Sequence, residues 1–552
     1  MLLHRKADGS ERAGWYRTAL GVLRAVLVAS LLIACTPRGI AQDIEVHHTI
    51  KTEWPCRGAA KERVEDESFS FSPDGKTLAF LHRYAGLVLW NLEKGKPRMA
   101  AGAWKVVGWD ADTGKERIVA SFTEGDKRAL VWLVDGMAFS PDSKTLAYST
   151  MEGIRFLDVA TCREKGILVA RGYSPKMLAF MPDGKTLAWN GWKSMGFWDI
   201  RRDRLRLEIP HAQELWYGRT LSFTQDGKVG VSLPTDSSID VWKIETGERQ
   251  ATLKPEVGYC SSAIISPDGN SIAAVVGSGH GNVDLWDVAT RKVTHLPIED
   301  ACQIRIERMA FTPDSRTLAV LDEHRRIALW EVATATIRAG LPGQTHTPDM
   351  QFSPDGRFLA AGAKGSIKFW DLAGVKRKPP DATETGRLWT VLARAGAESA
   401  YQAIRTLTAF PTQALPVLRN ELRSQILSEA ECKIIDRLLV DLDGDAFAVR
   451  EKASKELKQL GLRAESRLRR ALEEQPTPEV RRRLKALVEV IERQKASEPI
   501  QYLRAVEVLE HIGTPEAAAM LEDLAQRGCN PRLTQDAKAS LARLKKRPIP
   551  KP

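Results

Sequence analysis

The chain contains few cysteines, seven among 552 residues. They are scattered singly without a CxxC pair, so the clustered ligands of a zinc site are missing. We therefore expect most of these cysteines to be small buried apolar residues, and we predict no metal site.

The sequence also lacks the motifs of common catalytic sites. No G-x-S-x-G nucleophile elbow occurs, and the ten histidines show no metal-ligand spacing. The suggestive stretch Gly277–Gly281 is better explained as a glycine-rich turn between two strands. We predict no catalytic residue, no cofactor-binding residue and no enzymatic activity.

Long apolar runs are rare, and the one that stands out is Ala25–Cys35. Arg5, Lys6, Arg12 and Arg17 precede it. A basic region before an apolar run of about 7–15 residues is typical of a secretory signal, and the run is short for a membrane span, which needs about 20 residues. Residues 1–41 are therefore predicted to be a leader that directs export to the periplasm or cell envelope.

The end of this run, Leu32-Ile33-Ala34-Cys35, resembles the lipobox of bacterial lipoproteins, in which the cysteine is lipidated. The resemblance implies a bacterial, exported protein that is tethered to a membrane through Cys35. Three alternatives stay open: cleavage after Ala41, a single uncleaved anchor helix, and a misassigned start that would leave the protein in the cytoplasm.

One nine-residue phrase returns seven times: an aromatic residue or Ile, Ser or Thr, Pro-Asp-Gly, Lys or Arg, then Thr-Leu-Ala. Pro, Asp and Gly in this order suit a tight turn, although Ser143 and Ser315 replace the Gly in two copies. The last six copies are 41 to 46 residues apart, a period that is typical of a propeller. The copies begin at Phe71, Phe139, Phe180, Phe223, Ile265, Phe311 and Phe352.

A second signature ends the third predicted strand of each unit, where six of the seven units carry a tryptophan, most often before an acidic residue. We predict that these rings fill the wedges between neighbouring sheets, where burial of one ring contributes about 1.5–3 kcal/mol. The predicted structural residues of the blades are Trp90, Trp198, Trp242, Trp286, Trp330 and Trp370.

With both signatures in place, residues 44–375 resemble WD40 repeats. The resemblance implies an all-β, seven-bladed WD40-like β-propeller that binds protein partners. The chain departs from the family pattern, because the Gly-His pair that usually opens a unit is missing. The family's Asp-His-Ser/Thr-Trp hydrogen-bond network is therefore expected to be mostly absent, and packing must hold the blades together.

Two features concern closure of the ring. Residues 44–50 alternate like a strand, and we predict that they complete the seventh blade, since closure removes exposed strand edges. The first two copies are 68 residues apart, and Val106–Asp110 resembles a lone third strand. We interpret residues 96–125 as an insertion, with a degenerate eighth blade as the alternative.

The C-terminal third changes from a period of two residues to one of 3.6. Residues 376–386 are predicted to be a Pro-rich linker, and residues 387–547 form pairs of apolar stripes separated by short turns. Thr514-Pro515-Glu516 is typical of a helix start. These pairs resemble HEAT-like repeats, which implies an all-α helical-repeat domain that buries a continuous core; an irregular helical bundle is the alternative.

The net charge of +11 permits anionic partners without demanding them. The basic stretches of the C-terminal third each adjoin glutamates that helical i,i+4 pairs would engage, so we predict no nucleic-acid partner. The most consistent function is a monomeric, non-catalytic scaffold for unknown protein partners. The loops between blades and the Trp189–Trp198 segment are the first candidate surfaces. An enzyme or small-ligand binder that uses the propeller channel, and an intracellular regulator, are the alternatives.

Overall fold

The computed structural model describes the chain from residue 46 to residue 546 with gaps, and all of the described residues belong to one compact unit. The described ranges are 46–51, 69–82, 86–92, 96–101, 106–109, 116–120, 136–150, 153–168, 177–190, 194–210, 222–235, 238–256, 259–277, 282–298, 304–341, 349–363, 366–375, 378–394, 396–474, 476–494 and 500–546.

Seven antiparallel sheets, which we call blades 1 to 7, account for the thirty strands in these ranges. Blade 1 contains β2 (Phe69–Phe71), β3 (Thr77–His82), β4 (Gly86–Asn91) and β5 (Lys96–Ala101). Blade 2 contains β8 (Met137–Phe139), β9 (Thr145–Thr150), β10 (Gly153–Asp158) and β11 (Glu164–Leu168). Blade 3 contains β12 (Met177–Phe180), β13 (Thr186–Asn190), β14 (Ser194–Asp199) and β15 (Arg204–Pro210).

The remaining blades follow the same up-and-down order. Blade 4 contains β16 (Ser222–Phe223), β17 (Val229–Thr235), β18 (Ser238–Lys243) and β19 (Glu248–Leu253), blade 5 contains β20 (Cys260–Ile265), β21 (Ser271–Val276), β22 (Asn282–Asp287) and β23 (Val293–His295), blade 6 contains β24 (Ile306–Phe311), β25 (Thr317–Asp322), β26 (Ile327–Glu331) and β27 (Thr336–Leu341), and blade 7 contains β28 (Met350–Phe352), β29 (Phe358–Ala363) and β30 (Ser366–Asp371).

The ring is closed by strand β1 (Val46–Lys51), which pairs antiparallel with β30 as the fourth strand of blade 7. Blades 1 and 7 also meet directly, because the backbone N–H of Phe69 donates to Asp349 Oδ2 at 2.8 Å. The Gln351 side chain returns a bond to the Phe69 carbonyl at 2.8 Å. The seven-bladed propeller that the repeats predicted is therefore confirmed.

Two further strands, β6 (Val106–Trp109) and β7 (Glu116–Ala120), extend blade 1 to six strands in the order β2-β3-β4-β5-β6-β7. They continue an existing sheet and do not build a separate one. The insertion predicted over 96–125 was placed too early, because Lys96–Ala101 pairs with β4 as the ordinary fourth strand of the blade. The additional residues therefore begin after Ala101.

Turns of one type join the first two strands of the blades, and their fourth position has a left-handed backbone. Gly75 and Gly356 have φ of 69° and 73° there. Ser143 and Ser315 adopt the same conformation with φ of 60° and 66°, although a side chain with a Cβ is disfavoured there. The two serine turns therefore keep the turn type of their glycine counterparts.

The helical domain contains ten α-helices in the described residues, which confirms the predicted change of fold class. They are α1 (Ala382–Leu392), α2 (Ala397–Ala409), α3 (Pro411–Leu422), α4 (Glu429–Asp441), α5 (Phe447–Leu460), α6 (Glu465–Glu473), α7 (Pro478–Gln494), α8 (Ile500–Ile512), α9 (Pro515–Arg527) and α10 (Pro531–Lys546).

The first helix begins earlier than the sequence indicated. The predicted linker 376–386 overlaps α1, because the Asp381 side chain accepts a hydrogen bond from the Glu384 backbone N–H at 2.7 Å and caps the helix. The later start at Thr514 is as predicted, with its side chain capping the Ala517 N–H at 3.3 Å.

The helices bury two separate cores, where the repeat resemblance implied one continuous core. Helices α1–α3 pack with α8–α10 around Leu407, Leu509 and Leu521. Helices α4–α7 form a second core around Ile435 and Leu484. The chain thus inserts a four-helix unit between α3 and α8. A search of the described helices finds none that is long and apolar enough to cross a membrane.

Candidate interaction surface at the turn end of the propeller

The turns of the seven repeats, six with Pro-Asp and one with Gln225-Asp226, gather at one end of the propeller, which we call the turn end. Together with helices α2, α8, α9 and α10 they border a cavity of about 2280 Å³. The turns contribute a ring of aromatic and proline side chains, and the helices contribute both apolar and charged ones. The ring contains Phe71, Phe139, Phe180, Phe223, Phe311 and Phe352 with Pro73, Pro141, Pro182, Pro267, Pro313 and Pro354.

A repeated hydrogen-bond pattern holds each turn in shape. In blade 7, for example, the Ser353 hydroxyl donates to Asp355, and the Asp355 carboxylate accepts the Arg357 backbone N–H at 3.1 Å. The Phe358 N–H then donates to Ser353 Oγ at 2.9 Å. The turn aspartates therefore bind the backbone of their own turns, and the pattern explains why most copies keep Ser or Thr together with Asp.

The helical domain is fastened to blade 6 of this end through buried charges. Arg338 of β27 is only 2% exposed. Its guanidinium donates to Glu331 at 2.9 Å and to the Thr317 hydroxyl at 2.9 Å within the blade. It also forms a bidentate pair with Glu507 of α8 at 2.6 and 2.8 Å. One arginine thus binds both domains.

Arg504, one helical turn before Glu507, completes this ion-pair cluster. Its guanidinium holds both oxygens of Glu331 at 2.9 and 2.6 Å. It also donates to the carbonyl oxygens of Leu392 and Arg394, both at 2.7 Å, at the end of α1. The ring of Tyr401 in α2 lies 5.4 Å from the Arg338 guanidinium carbon, a cation–π geometry. The charges of two arginines and two glutamates therefore neutralise one another in this cluster.

A second ion-pair cluster is centred on Arg316, which follows the turn of blade 6. It donates to Glu510 of α8 at 2.8 Å, and to Asp536 and Ser540 of α10 at 2.8 and 3.0 Å. Arg543 also holds both oxygens of Glu510 at 2.7 Å. The turn cation of one repeat is therefore the anchor for two helices.

These contacts shift the pKa values of the buried carboxyl groups. Burial alone would raise the pKa of Glu331, but the Arg504 hydrogen bonds and the Arg338 charge outweigh it and lower the pKa to about 2. For Glu510, Arg316 and Arg543 likewise overcome burial and lower the pKa to about 2. At Asp536 burial dominates over the attraction of Arg316, and the pKa is raised.

One group beside the cavity has the composition of a metal site. Asp314, Glu507 and His511 bring ligand-type atoms within 4.8 Å of one another. Both Glu507 oxygens already accept from Arg338, and Asp314 lies 3.4 Å from His511 Nε2 and 3.5 Å from Arg316. A cation would face two guanidinium charges there. The group is therefore explained as part of the ion-pair network.

Five of the six predicted blade tryptophans lie where neighbouring blades meet. Trp286 of blade 5 clusters with Val231 and Val241 of blade 4, and Trp330 of blade 6 clusters with Val275 of blade 5. The others pack in the same direction: Trp90 lies against a cluster that includes blade 7, Trp198 against blade 2, and Trp242 against blade 3, while Trp370 is fully buried.

The polar part of the tryptophan environment varies. The Trp242 indole N–H donates to the Ser232 hydroxyl at 2.8 Å. The indole nitrogens of Trp286 and Trp330 are buried with no hydrogen-bond partner among the described residues. Packing therefore dominates at these two positions.

Of the candidate surfaces proposed from the sequence, one contains a buried residue and others lie outside the described residues. Trp189 is 2% exposed and its ring lies 6.3 Å from that of Trp198 inside blade 3, so it is a core residue and not part of a binding loop. Residues 191–193 lie outside the described residues, as do 169–176 and 211–221. Cys35 and the leader also lie outside them.

Sequence reasoning missed the residues that join the domains. Arg338, Glu331, Arg504, Glu507 and Glu510 looked like ordinary surface charges in the amino-acid sequence. One signal was available: Arg504, Glu507 and Glu510 recur at intervals of three residues in a helix whose other positions are mostly apolar. A charged stripe on an otherwise buried helix needs an oppositely charged surface.

The fold defines a class, that of β-propeller proteins with an appended helical domain. Comparison with protein families agrees, since residues 340–371 match the family described as WD domain, G-beta repeat. That match covers the last unit of the propeller.

Curated relatives match parts of the chain. The chain is 26% identical over 153 residues to the small ribosomal subunit protein RACK1y of Oryza sativa subsp. japonica, 26% of this chain and 44% of the relative. It is 27% identical over 164 residues to the protein LST8 homolog of Drosophila pseudoobscura pseudoobscura, 27% of this chain and 50% of the relative. Eukaryotic translation initiation factor 3 subunit I of Meyerozyma guilliermondii is 34% identical over 104 residues, 19% of this chain and 28% of the relative. The chain thus spans half or less of these relatives.

Proposed function

We propose that this protein is a non-catalytic scaffold for protein–protein interactions. The observation that carries the proposal is the fastening of the helical domain to blade 6, which makes the turn end and four helices the walls of one composite cavity. Two relatives are by name subunits of larger assemblies, the small ribosomal subunit and initiation factor 3, which supports an interaction role.

The charge pairing around the cavity also favours binding over catalysis. A general acid or base needs a carboxyl group or imidazole that can exchange a proton with a substrate. Glu331, Glu507 and Glu510 are instead bound by arginines, and two of their pKa values are lowered far from neutrality. We propose that the protein needs no cofactor and that its partners are proteins, bound by a monomer.

Capture of partners tests this role. Glu522 of α9 and Lys545 of α10 are exposed residues in the cavity wall. Reversing both charges, with Glu522→Lys and Lys545→Glu, changes the charge distribution of the wall without altering the ion-pair clusters. We expect a set of proteins cross-linked to the wild type to be lost from this variant and retained by Lys458→Glu, an exposed reversal in the inserted helices. Identical captured sets for all three proteins would contradict the proposal, and so would turnover of a small substrate in the cavity.

We also propose that the protein is bacterial, exported and tethered to the cell envelope. The support is in the sequence: a basic leader, the apolar run Ala25–Cys35, and a lipobox-like ending at Cys35. Fractionation of the tagged protein beside Cys35→Ser tests this. We expect the wild type in the membrane fraction and the variant in the soluble envelope fraction. Recovery of both in the cytoplasm would show that the start is misassigned.

A further inference from the structure

Two blades carry the same three-residue arrangement at the turn end. In blade 6, Glu331 pairs with Thr317 across β26 and β25, and Arg338 is the residue skipped by the bulge between β26 and β27. In blade 2, Asp158 pairs with Thr145 across β10 and β9 in the same register. Lys165 is the residue skipped by the corresponding bulge between β10 and β11.

The side chains of the two trios make matching contacts. Arg338 donates to Glu331 and to the Thr317 hydroxyl, both at 2.9 Å. Lys165 Nζ lies 3.0 Å from the Asp158 carboxylate and donates to the Thr145 hydroxyl at 3.0 Å. A basic residue therefore projects from the bulge, held by an acid and a threonine, in both blades.

The two trios differ in what covers them. Arg338 and Glu331 are each 2% exposed, because α8 places Glu507 on the arginine and Arg504 on the glutamate. The side chain of Lys165 is 42% exposed and that of Asp158 is 26% exposed. Beside Lys165 lies a cavity of about 570 Å³, whose walls include Phe180, Trp198 and Ile167.

Strand β11 at this cavity has the features of an open contact surface. Ile167 is 40% exposed, and a Cβ added at Gly166 would meet nothing within 4 Å. The corresponding strand of blade 6, β27, lies against α2. Blade 2 thus presents apolar surface next to an accessible lysine and aspartate.

In blade 3 a basic residue at the same bulge does not form the three-residue arrangement. Arg206 occupies the equivalent bulge there, but it donates to the Glu245 carbonyl at 3.5 Å, and Asp199 pairs with Arg202 at 3.1 Å. A basic residue at the bulge is therefore insufficient, and Arg206 offers a matched control position.

We propose that blade 2 is a docking site for a helix of a partner protein that carries an arginine three residues before a glutamate on one face. The glutamate binds Lys165 as Glu507 binds Arg338, and the arginine binds Asp158 as Arg504 binds Glu331. The apolar part of the helix packs on Ile167. This inference rests on the proposed interaction function, and charge complementarity with the blade 6 contact specifies the partner.

A peptide of residues 500–512 is the probe, since it carries Arg504 and Glu507 in the required spacing. A lactam bridge between positions 502 and 506, on the opposite face, keeps this short helix formed. Binding of the labelled peptide to the full chain is measured by fluorescence anisotropy. We expect Lys165→Glu to weaken binding about tenfold or more, and Arg206→Glu to leave it within about twofold.

A peptide with Glu507→Lys is expected to prefer the Lys165→Glu protein to the wild type, which would assign the contact to this residue pair even if the variant is less stable. Absence of peptide binding, or binding that Lys165→Glu leaves unchanged because the peptide replaces α8 on blade 6, would overturn the proposal. Either result would leave the scaffold function intact as long as the capture experiment still yields partners, so the two failures are distinguishable.

Discussion

The hydroxyl of Ser315 accepts a hydrogen bond from the backbone N–H of Asp268 at 3.1 Å, which joins the turn of blade 6 to that of blade 5. Ser143 accepts from the Asp74 N–H at the same distance, between blades 2 and 1. In both turns the serine stands at the left-handed position that glycine fills in the other copies. The two departures from the repeat therefore supply contacts between blades.

This relationship predicts that alanine is worse than glycine at Ser315. Ser315→Ala removes the hydrogen bond and keeps a Cβ at φ of 66°, which should lower the free energy of unfolding by about 1 kcal/mol. Ser315→Gly loses the same bond but relieves about 1 kcal/mol of backbone strain, so its stability should stay near that of the wild type. Chemical denaturation of both variants measures the difference; equal losses would show that glycine relieves no backbone strain at this position.

A second prediction concerns the buried glutamate that two arginines share. Glu331→Gln leaves the charges of Arg338 and Arg504 buried without their anion, and we expect a loss of about 3–5 kcal/mol in unfolding free energy. Glu479→Gln, which removes the exposed partner of Arg482, is the control and should cost far less, because an ion pair in water contributes little to stability. Similar losses for both variants would mean that burial of the network is energetically unimportant.

A third prediction follows from the lowered pKa values of Glu331 and Glu510. Both are about 2 in the folded protein, below the ordinary value near 4.5, so the stabilisation is complete above pH 4.5 and is lost as pH falls toward 2. Each shift corresponds to roughly 3 kcal/mol. Asp536, whose pKa is raised, acts in the opposite direction.

Urea unfolding at pH 7, 5, 4 and 3 measures this dependence. The wild type should lose stability steeply below pH 4.5, and Glu331→Gln should show a shallower slope because one titrating group is gone. Parallel curves for the two proteins would show that folding does not lower the pKa of Glu331.

A fourth prediction tests the place of Trp189 in the core. A Cβ at Gly196 would overlap the Trp189 ring, so Gly196→Ala must displace a fully packed side chain. We expect a loss of about 1–3 kcal/mol. Gly166→Ala on the open edge of blade 2 is the control and should cost less than about 1 kcal/mol. A neutral Gly196→Ala would place Trp189 outside the core.

The repeats predicted the propeller because each repeat carries the residues that form its own turn and strands. The turn residues around Asp355 and the tryptophan at position 370 are local signals that recur with the fold's own period. The contact between blade 6 and α8 has no such signal, since Arg338 and Glu507 are 169 residues apart and are recognisable as partners only after both domains are folded.

The helical domain shows the same limit. Local capping located the helix at Thr514, and apolar spacing located most of the others. No local sequence signal showed that the helices between Leu422 and Ile500 are an insertion. The choice between one core and two depends on which helices meet in space. The Trp189 segment failed for a related reason: the open space over Gly196 that accepts its ring is a tertiary property.

The pairing of β1 with β30 has a consequence for how the molecule is made. Val46 meets Trp370, so the strand that leaves the ribosome first must wait for the synthesis of about 300 residues, tens of seconds at usual rates, before its partner exists. Until then blade 7 is incomplete and both edges are open to wrong pairing. Closure of the ring is therefore a late, long-range event in folding.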